Sequence, residues 1–518
     1  VANLPNQEWM GESGLRKQEN RSVTTWQPKQ YSRTFKAGLL ASGQFLQVCA
    51  TLGSLMVLAR VLTVQGYATY RQSMLAYQFA APLLALGLPQ ALYYFLPGET
   101  RRVRAILLEN LLLLSGMATL FPLILLLGGN KLLAWRFHNP GLSRTLLILA
   151  PYSLLTLPTG ALTACLVARD RVKQVVVFHV LSRLCIFVSV VGASIIWRTP
   201  AAALTGTVLG AGLLLFPALR LMLAACNEGE RWPTAAGMRA QLTYSVPIGL
   251  AGLAGITYVL LDKMVVSSMC TSEEFAVYVN GAVEVPLIGL VTGSVTAVLL
   301  PSYVKFFRAG NMKGMAELWK SAMVKCSTII FPLTVILFIT APELMTVLFS
   351  ARYVESANVF RIYLLMMPFR VASYSAVLRA TGRTSWLLIW EVASLTGNLL
   401  LTILFVYLFG YIGAATSTVA VSIVSFIVIL VVFRRIFRTP PLDYIPLGRL
   451  SKVSLCALCC VPVLYGKVLL PDSALLRLVI IYPIAGVVAC IALAGCGLLR
   501  LHGLKPVLLP PRCRPAME

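Results

Sequence analysis

The sequence predicts an all-α polytopic membrane protein of about fourteen transmembrane helices. It further predicts two six-helix lobes around a central cavity, with two extra helices appended. Three observations carry this reading: an apolar composition, apolar runs of spanning length, and an echo between the two halves of the chain. Hydrophobic residues make up 58% of the 518 positions, charged residues only 12%, and mean hydropathy is +0.80. Soluble domains average about 45–50% apolar and about 25% charged. The apolar residues arrive in runs of about 20, the number a helix needs to cross a hydrocarbon layer about 30 Å thick.

Taken in order, residues 1–36 are polar, carry Pro5 and Pro28, and lack an apolar core, so they read as a cytosolic tail and not a signal peptide. The chain opens on Val1, consistent with an alternative start codon, or with a start at Met10. Apolar runs between breaks give spans at 37–62, 73–97, 104–128, 143–168, 173–197 and 201–224, which make a first lobe over 37–224. A cytosolic linker follows at 225–240. Spans at 241–266, 278–304, 321–341, 358–380, 384–408 and 411–433 make a second lobe over 241–434. Spans at 450–470 and 476–500 occupy 435–500, and 501–518 is a second cytosolic tail.

Basic residues set the orientation. With both termini in the cytoplasm, inside segments hold roughly 31 Lys and Arg against 9 outside. The groups Arg101–Arg102–Arg104, Arg169–Arg171–Lys173 and Arg434–Arg435–Arg438 all fall inside. This is a strong positive-inside bias, and it absorbs most of the net charge of +25 without invoking nucleic acid. Both termini are therefore expected in the cytoplasm.

The halves echo each other in order. Tyr70, Pro82 and Leu96-Pro97 mark the second span, and Tyr278, Pro286 and Leu300-Pro301 mark the eighth. Phe121-Pro122-Leu123 of the third span recurs as Phe331-Pro332-Leu333 in the ninth. Two similar bundles imply alternating access about a cavity between them, which is a transporter architecture.

Other classes are disfavoured. Cys456, Cys459 and Cys460 form a C-x-x-C-C string without a second pair, and most of the 12 cysteines lie in apolar runs. His138, His179 and His502 are too scattered for a metal centre, so no metal or cofactor is expected. An enzyme acting on sugars at the outer face needs a sizeable external loop, and no outer loop exceeds about 17 residues.

Several local patterns resemble a known family. Leu58-Ala-Arg60-Val-Leu62 followed by Gly66-Tyr67-Ala-Thr-Tyr70 resembles the opening signature of Wzx-type polysaccharide flippases, with Thr63 where that family has glycine. Pro342 to Phe349, with Arg352-Tyr353 and Ala357, resembles the exit of its ninth helix. Gly397-Asn398 and Gly410 to Ala415 resemble its eleventh span and the turn after it. The resemblance covers roughly residues 35–435. It implies the fold of the multidrug/oligosaccharidyl-lipid/polysaccharide exporter superfamily. It also implies outward transfer of undecaprenyl-diphosphate-linked oligosaccharides for O-antigen, capsule or exopolysaccharide assembly, beside a polymerase and a chain-length regulator. The alternatives are a lipid II flippase or a cation-coupled multidrug exporter of the same superfamily, and outside it a membrane glycosyltransferase.

Charged residues inside spans cost about 2.5–3.5 kcal/mol each near the bilayer centre on insertion scales, so they are functional candidates. Arg183 lies mid-span in the fifth helix, one turn after His179, and Arg370 follows Pro368 in the tenth, with Arg361 nearer its outer end. Asp262-Lys263 sits near the outer end of the seventh span, Glu284 in the outer part of the eighth, and Glu391 in the eleventh with Ser394 and Asn398 on its face. The transport reading assigns Arg183, Arg370 and Lys263, with Arg60, Arg71, Arg361 and Asn398, to a diphosphate or acidic sugar. Glu284, Glu391 and Asp262 are candidates for ion coupling. The opposing reading pairs Asp262 or Glu284 with Lys263 and Glu391 with a nearby arginine, and lets Arg60 and Arg71 snorkel to the interface.

Overall fold

The computed structural model describes residues 48–371, 377–378, 380–381, 384–437, 440–466, 471 and 473–498. Among them the chain is helical, without strands. The first described helices are α1 (Val48–Val61), α2 (Val64–Ala85), α3 (Leu88–Phe95) and α4 (Val103–Ala118). α5 (Leu120–Ile124) and α6 (Asn130–Arg136) continue α4 through a wide turn at Leu125–Gly129. Next come α7 (Gly141–Leu149), α8 (Tyr152–Ala168), α9 (Val172–Trp197) and α10 (Pro200–Ala225). The second half holds α11 (Ala235–Met269), α12 (Ser272–Gly281), α13 (Pro286–Arg308), α14 (Met312–Ile339) and α15 (Ala341–Phe349). α16 (Ser356–Leu364) and the short α17 (Met367–Arg370) precede α18 (Thr384–Phe409) and α19 (Tyr411–Phe437). The chain closes with α20 (Pro441–Tyr444), α21 (Leu447–Leu458), α22 (Val461–Tyr465) and α23 (Ala474–Gly495).

Eight helices or continuous helical runs among the described residues are long and apolar enough to cross a membrane, and three bent pairs raise this to eleven. The expected fourteen are therefore not reached among them. The first and tenth expected spans, 37–62 and 358–380, run partly outside the described residues. Helices also extend beyond the apolar runs that the sequence marks. α14 begins at Met312 instead of 321, and the run from α4 continues to Arg136, past the expected end at 128. Apolar content reports the hydrocarbon slab, whereas backbone hydrogen bonding carries a helix on into the polar interface.

Local chemistry explains the breaks. Thr63 caps α2, its hydroxyl accepting the Gly66 N–H at 3.1 Å. α2 stops where Leu86 and Gly87 adopt left-handed conformations (φ of 42° and 72°), and the α2–α3 pair bends by 40° there. A Cβ at Gly87 would lie 2.7 Å from the Ser245 carbonyl oxygen, and one at Gly249 would lie 2.3 Å from the Leu86 carbonyl carbon. Only glycines let α3 and α11 cross so closely. α11 is itself bent by 52° between Leu250 and Gly255. α9 and α10 meet by the same means: a Cβ at Gly206 would lie 2.4 Å from the Ser189 carbonyl oxygen, and Gly210 faces Ile186. This G-x-x-x-G spacing replaces side-chain bulk by backbone contact, as membrane helix pairs do without a hydrophobic drive. α12 carries a capping box between Thr271 and Glu274, ends at Gly281, and gives way to α13 at Pro286.

The first half is tied to α11 by a buried acid. Glu109 of α4, fully buried, accepts Arg102 Nη2 at 2.7 Å and the backbone N–H and hydroxyl of Thr234 at 2.9 Å each. Gln241 Nε2 reaches its other oxygen at 3.2 Å, and Asn110 donates to Gln241 Oε1 at 2.8 Å. Just before α4, Glu99 accepts the N–H groups of Arg102, Arg101 and Thr100, which holds its carboxyl below the usual range. Glu109→Ala strands these donors, and we expect a loss of about 1–3 kcal/mol of stability. Thermal unfolding in detergent checks it, with Glu109→Gln, which keeps an acceptor oxygen, falling between wild type and alanine.

Candidate functional site

Five of the charged residues singled out above converge on one place. α2 contributes Arg71, the second half of α11 contributes Asp262 and Lys263, the α12–α13 break contributes Glu284, and α17 contributes Arg370. They line a cavity of about 280 Å³ with Tyr258, Tyr363, Thr418 and Ser422 on its wall. A second cavity of about 220 Å³ adjoins it, sharing Tyr258, Glu284, Arg370 and Ser422 and adding Trp390, Ser394 and Ser425. The break between Gly281 and Pro286 is what lets Glu284 leave the helical ladder and reach Arg370. α17 begins over Pro368, whose fixed φ and missing N–H suit the first turn, and this sets the position of Arg370 two residues later.

Asp262 is the hub. It is 2% exposed and accepts hydrogen bonds from Tyr278 Oη at 2.6 Å, from Tyr363 Oη, and from its neighbour's backbone N–H at 2.8 Å. Lys263 Nζ stands 3.4 Å from Asp262 Oδ1, donates to the Val259 carbonyl at 3.2 Å, and lies 6.0 Å from the Tyr363 ring centre. Arg71 donates to Tyr67 Oη at 3.0 Å and to the Val279 carbonyl at 3.4 Å. Tyr67 in turn donates to Asn280 Oδ1 at 2.7 Å. Arg370 Nη2 pairs with Glu284 Oε1, and each side chain stays nearly half exposed, at 45% and 49%. Three cations thus face two carboxylates. Arg71 and Arg370 use only part of their five-donor forks on these partners.

The remaining candidates lie elsewhere. Arg60 donates to backbone carbonyls of Met56, Val347 and Leu348, joining the end of α1 to the end of α15. Arg352 makes the reciprocal contact, to the Leu62 carbonyl at 3.5 Å. Arg361 donates to the Phe338 carbonyl at 3.0 Å and stands over the Phe338 ring. Arg183 sits half-buried on α9, close to Tyr152 and His179, away from these cavity walls. Asn398 is fully buried on α18, accepting from Thr402, which also contacts Ser417 of α19. Glu391 is on α18, but its side chain lies outside the described residues.

A family described as "Polysaccharide biosynthesis protein" matches residues 57–358, more than half of the chain. The chain belongs to the polysaccharide biosynthesis protein family. No curated protein matches its sequence. Its fold is similar to that of a lipid II flippase, MurJ, in an inward closed conformation: TM-score 0.67, 16% identity, covering 88% of this chain and 98% of that one. It is also similar to an inward-facing multidrug resistance MATE transporter of the MOP superfamily, with TM-score 0.59, 14% identity and coverage of 78% and 98%. A third similar structure is a MOP superfamily transporter from Pyrococcus furiosus noted for the reversed polarity of its binding pocket (TM-score 0.52, 14% identity, coverage 78% and 94%). At these identities the likeness establishes the fold: this member of the polysaccharide biosynthesis family is a multi-pass membrane protein built like the flippases and exporters of that superfamily.

Sequence reasoning missed the aromatic half of the site. Tyr67 and Tyr278 enter the sequence reading only as a motif residue and a repeat marker, Tyr363 not at all, and only their place beside Arg71 and Asp262 shows their use. A second buried ladder also went unseen: Asn139 donates to Gln72 Oε1 at 2.7 Å, and Gln72 donates to Ser267 Oγ at 3.1 Å, linking α2 to α11. A Gln flanking an apolar run was the available signal, since each such buried amide demands a partner.

Proposed function

We propose that the protein flips undecaprenyl-diphosphate-linked oligosaccharide units from the cytoplasmic to the periplasmic leaflet of the bacterial inner membrane. The observation that carries this reading is the cavity lined by Arg71, Lys263 and Arg370 with only two opposing acids. A cation exporter of the same fold calls for the opposite balance. Membership of a polysaccharide biosynthesis family supplies the class of cargo. In this reading two six-helix lobes, 37–224 and 241–434, rock about the cavity, and both termini face the cytoplasm.

The arginines act by charge-assisted, bidentate contact with phosphate oxygens, which lysine provides only as a point charge. The Arg370–Glu284 pair is open to the cavity, so an arriving diphosphate displaces the carboxylate and inherits its partner. Asp262 keeps Lys263 and the two tyrosines in place and, with Glu284 and Glu391, is where a coupling proton or cation would act. Arg183 of the first lobe lies away from these walls and is assigned no contact with the diphosphate in this reading. A diphosphate carries about two negative charges, and moving each outward against an inside-negative potential gains about 2.3 kcal/mol per 100 mV. A polymerase and a chain-length regulator are the partners that the family resemblance implies.

Reconstituted vesicles loaded with a polyprenyl-diphosphate-linked sugar test this reading, by following its exposure at the opposite leaflet. Wild type is expected to speed the exchange. Arg71→Ala is expected to slow it about tenfold, matching the loss of one charge-assisted hydrogen bond of about 1.5 kcal/mol. Export of a lipophilic cation by the same vesicles, with no movement of the lipid-linked sugar, would sink the proposal.

A further inference from the structure

A trough of about 480 Å³ runs between α18 and α19. Its floor is set by small residues on one stripe of α18, Ala393 and Gly397, and it extends along that stripe from Trp390 to Leu404. At 1.5 Å per residue this is a length of about 21 Å. Its walls are apolar except at one end, where Ser394 and Ser425 stand 3.5 Å apart. That end is shared: Trp390, Ser394 and Ser425 also line the smaller charged cavity that holds Arg370 and Glu284. An apolar channel that opens sideways and runs directly into a cationic chamber fits a ligand with a charged head and a long hydrocarbon chain joined to it.

We propose that this trough seats the first isoprene units of the lipid carrier while its diphosphate occupies the charged cavity. The inference rests on the flippase reading above and deepens it. Lipid offers a chain no hydrophobic reason to leave the bilayer, so shape and packing must hold it there. Gly397 provides the shape: a Cβ placed on it meets nothing within 4 Å, because the space beside it is the trough. A branched isoprenoid suits a wide, shallow trough of this kind. With the Phe409 end of α18 facing outward, as the charge pattern orients it, the Ser394–Ser425 end of the trough lies nearer the cytoplasm than its Leu404 end.

The test uses the full-length protein in lipid vesicles and a polyprenyl-diphosphate monosaccharide carrying a photoreactive diazirine on its second isoprene unit. Labelling is mapped by mass spectrometry. The expected result is label on 393–404 and 421–425, in excess over the outward residues Leu209, Leu213 and Phe216 of α10, which are at least 60% exposed. Gly397→Phe fills the trough without meeting backbone and is expected to cut that label about tenfold, equivalent to about 1.4 kcal/mol. Gly397→Ala should leave it unchanged. Label spread evenly over lipid-facing helices overturns the inference. Equal labelling of the trough by phosphatidylethanolamine bearing the diazirine on an acyl chain overturns it too, making the trough an ordinary lipid contact. If wild type moves the probe while the label lies elsewhere, the trough assignment fails and the flippase reading stands. If wild type neither binds nor moves it, the flippase reading fails, and the inference with it.

Discussion

Arg370→Ala is expected to reduce transfer of the lipid-linked substrate at limiting concentration by about tenfold. A hydrogen bond to a charged group is worth about 1.5–3 kcal/mol, about 1.4 kcal/mol is tenfold, and a group nearly half exposed falls at the low end. Arg370 is placed to make that contact. It is held by Glu284 at the cavity wall, and its half-exposed side chain can exchange that partner for a phosphate. Arg370→Lys keeps the charge but loses the planar fork, so it should fall between wild type and alanine. Glu284→Gln separates the two ways in which the pair can matter. If the carboxylate only holds the arginine until substrate arrives, removing its charge tightens substrate binding and slows release. If it carries a coupling proton, transfer loses its dependence on an imposed pH gradient. Unchanged transfer in Arg370→Ala would remove the pair from the mechanism.

The parts of this protein legible in its sequence are those where an element breaks the rule of its surroundings. A charge in or beside an apolar run is such a break, and Arg71, Asp262, Lys263, Glu284 and Arg370 come together in the fold from four separate segments of the chain. The rule is blunter near helix ends. Arg60 and Arg361 were equally conspicuous, yet both turn onto backbone carbonyls, because the last turn of a helix leaves acceptors free for any guanidinium within reach. Glu109 escaped notice for the opposite reason. Seven residues from Arg102, it reads as part of the basic helix start, although it is fully buried and holds the first half to α11. Tyrosine hydroxyls and the break at Ala282–Val285 leave no mark in composition. Close crossings such as Gly87 on Gly249 depend on two distant segments meeting, which no local pattern records.

Asp262 yields the second large effect. Asp262→Ala takes the acceptor from Tyr278 and Tyr363 and leaves Lys263, whose side chain is 15% exposed, with only the Val259 carbonyl. Removing one member of a buried ion pair typically costs about 3–5 kcal/mol, because the other charge is stranded. A large drop in the thermal midpoint is therefore expected, with Asp262→Asn intermediate, since it keeps an oxygen for the tyrosines but not the charge. The double variant Asp262→Asn/Lys263→Met decides what the pair is for. Deleting both charges together removes the stranded lysine, and such replacements are often neutral or stabilising. Stability should thus return toward wild type. If transfer returns with it, the pair serves only to build the cavity wall. If the restored protein still fails to move substrate, the charges at 262 and 263 act in transfer itself, which is the outcome expected from their place on the wall beside Arg370.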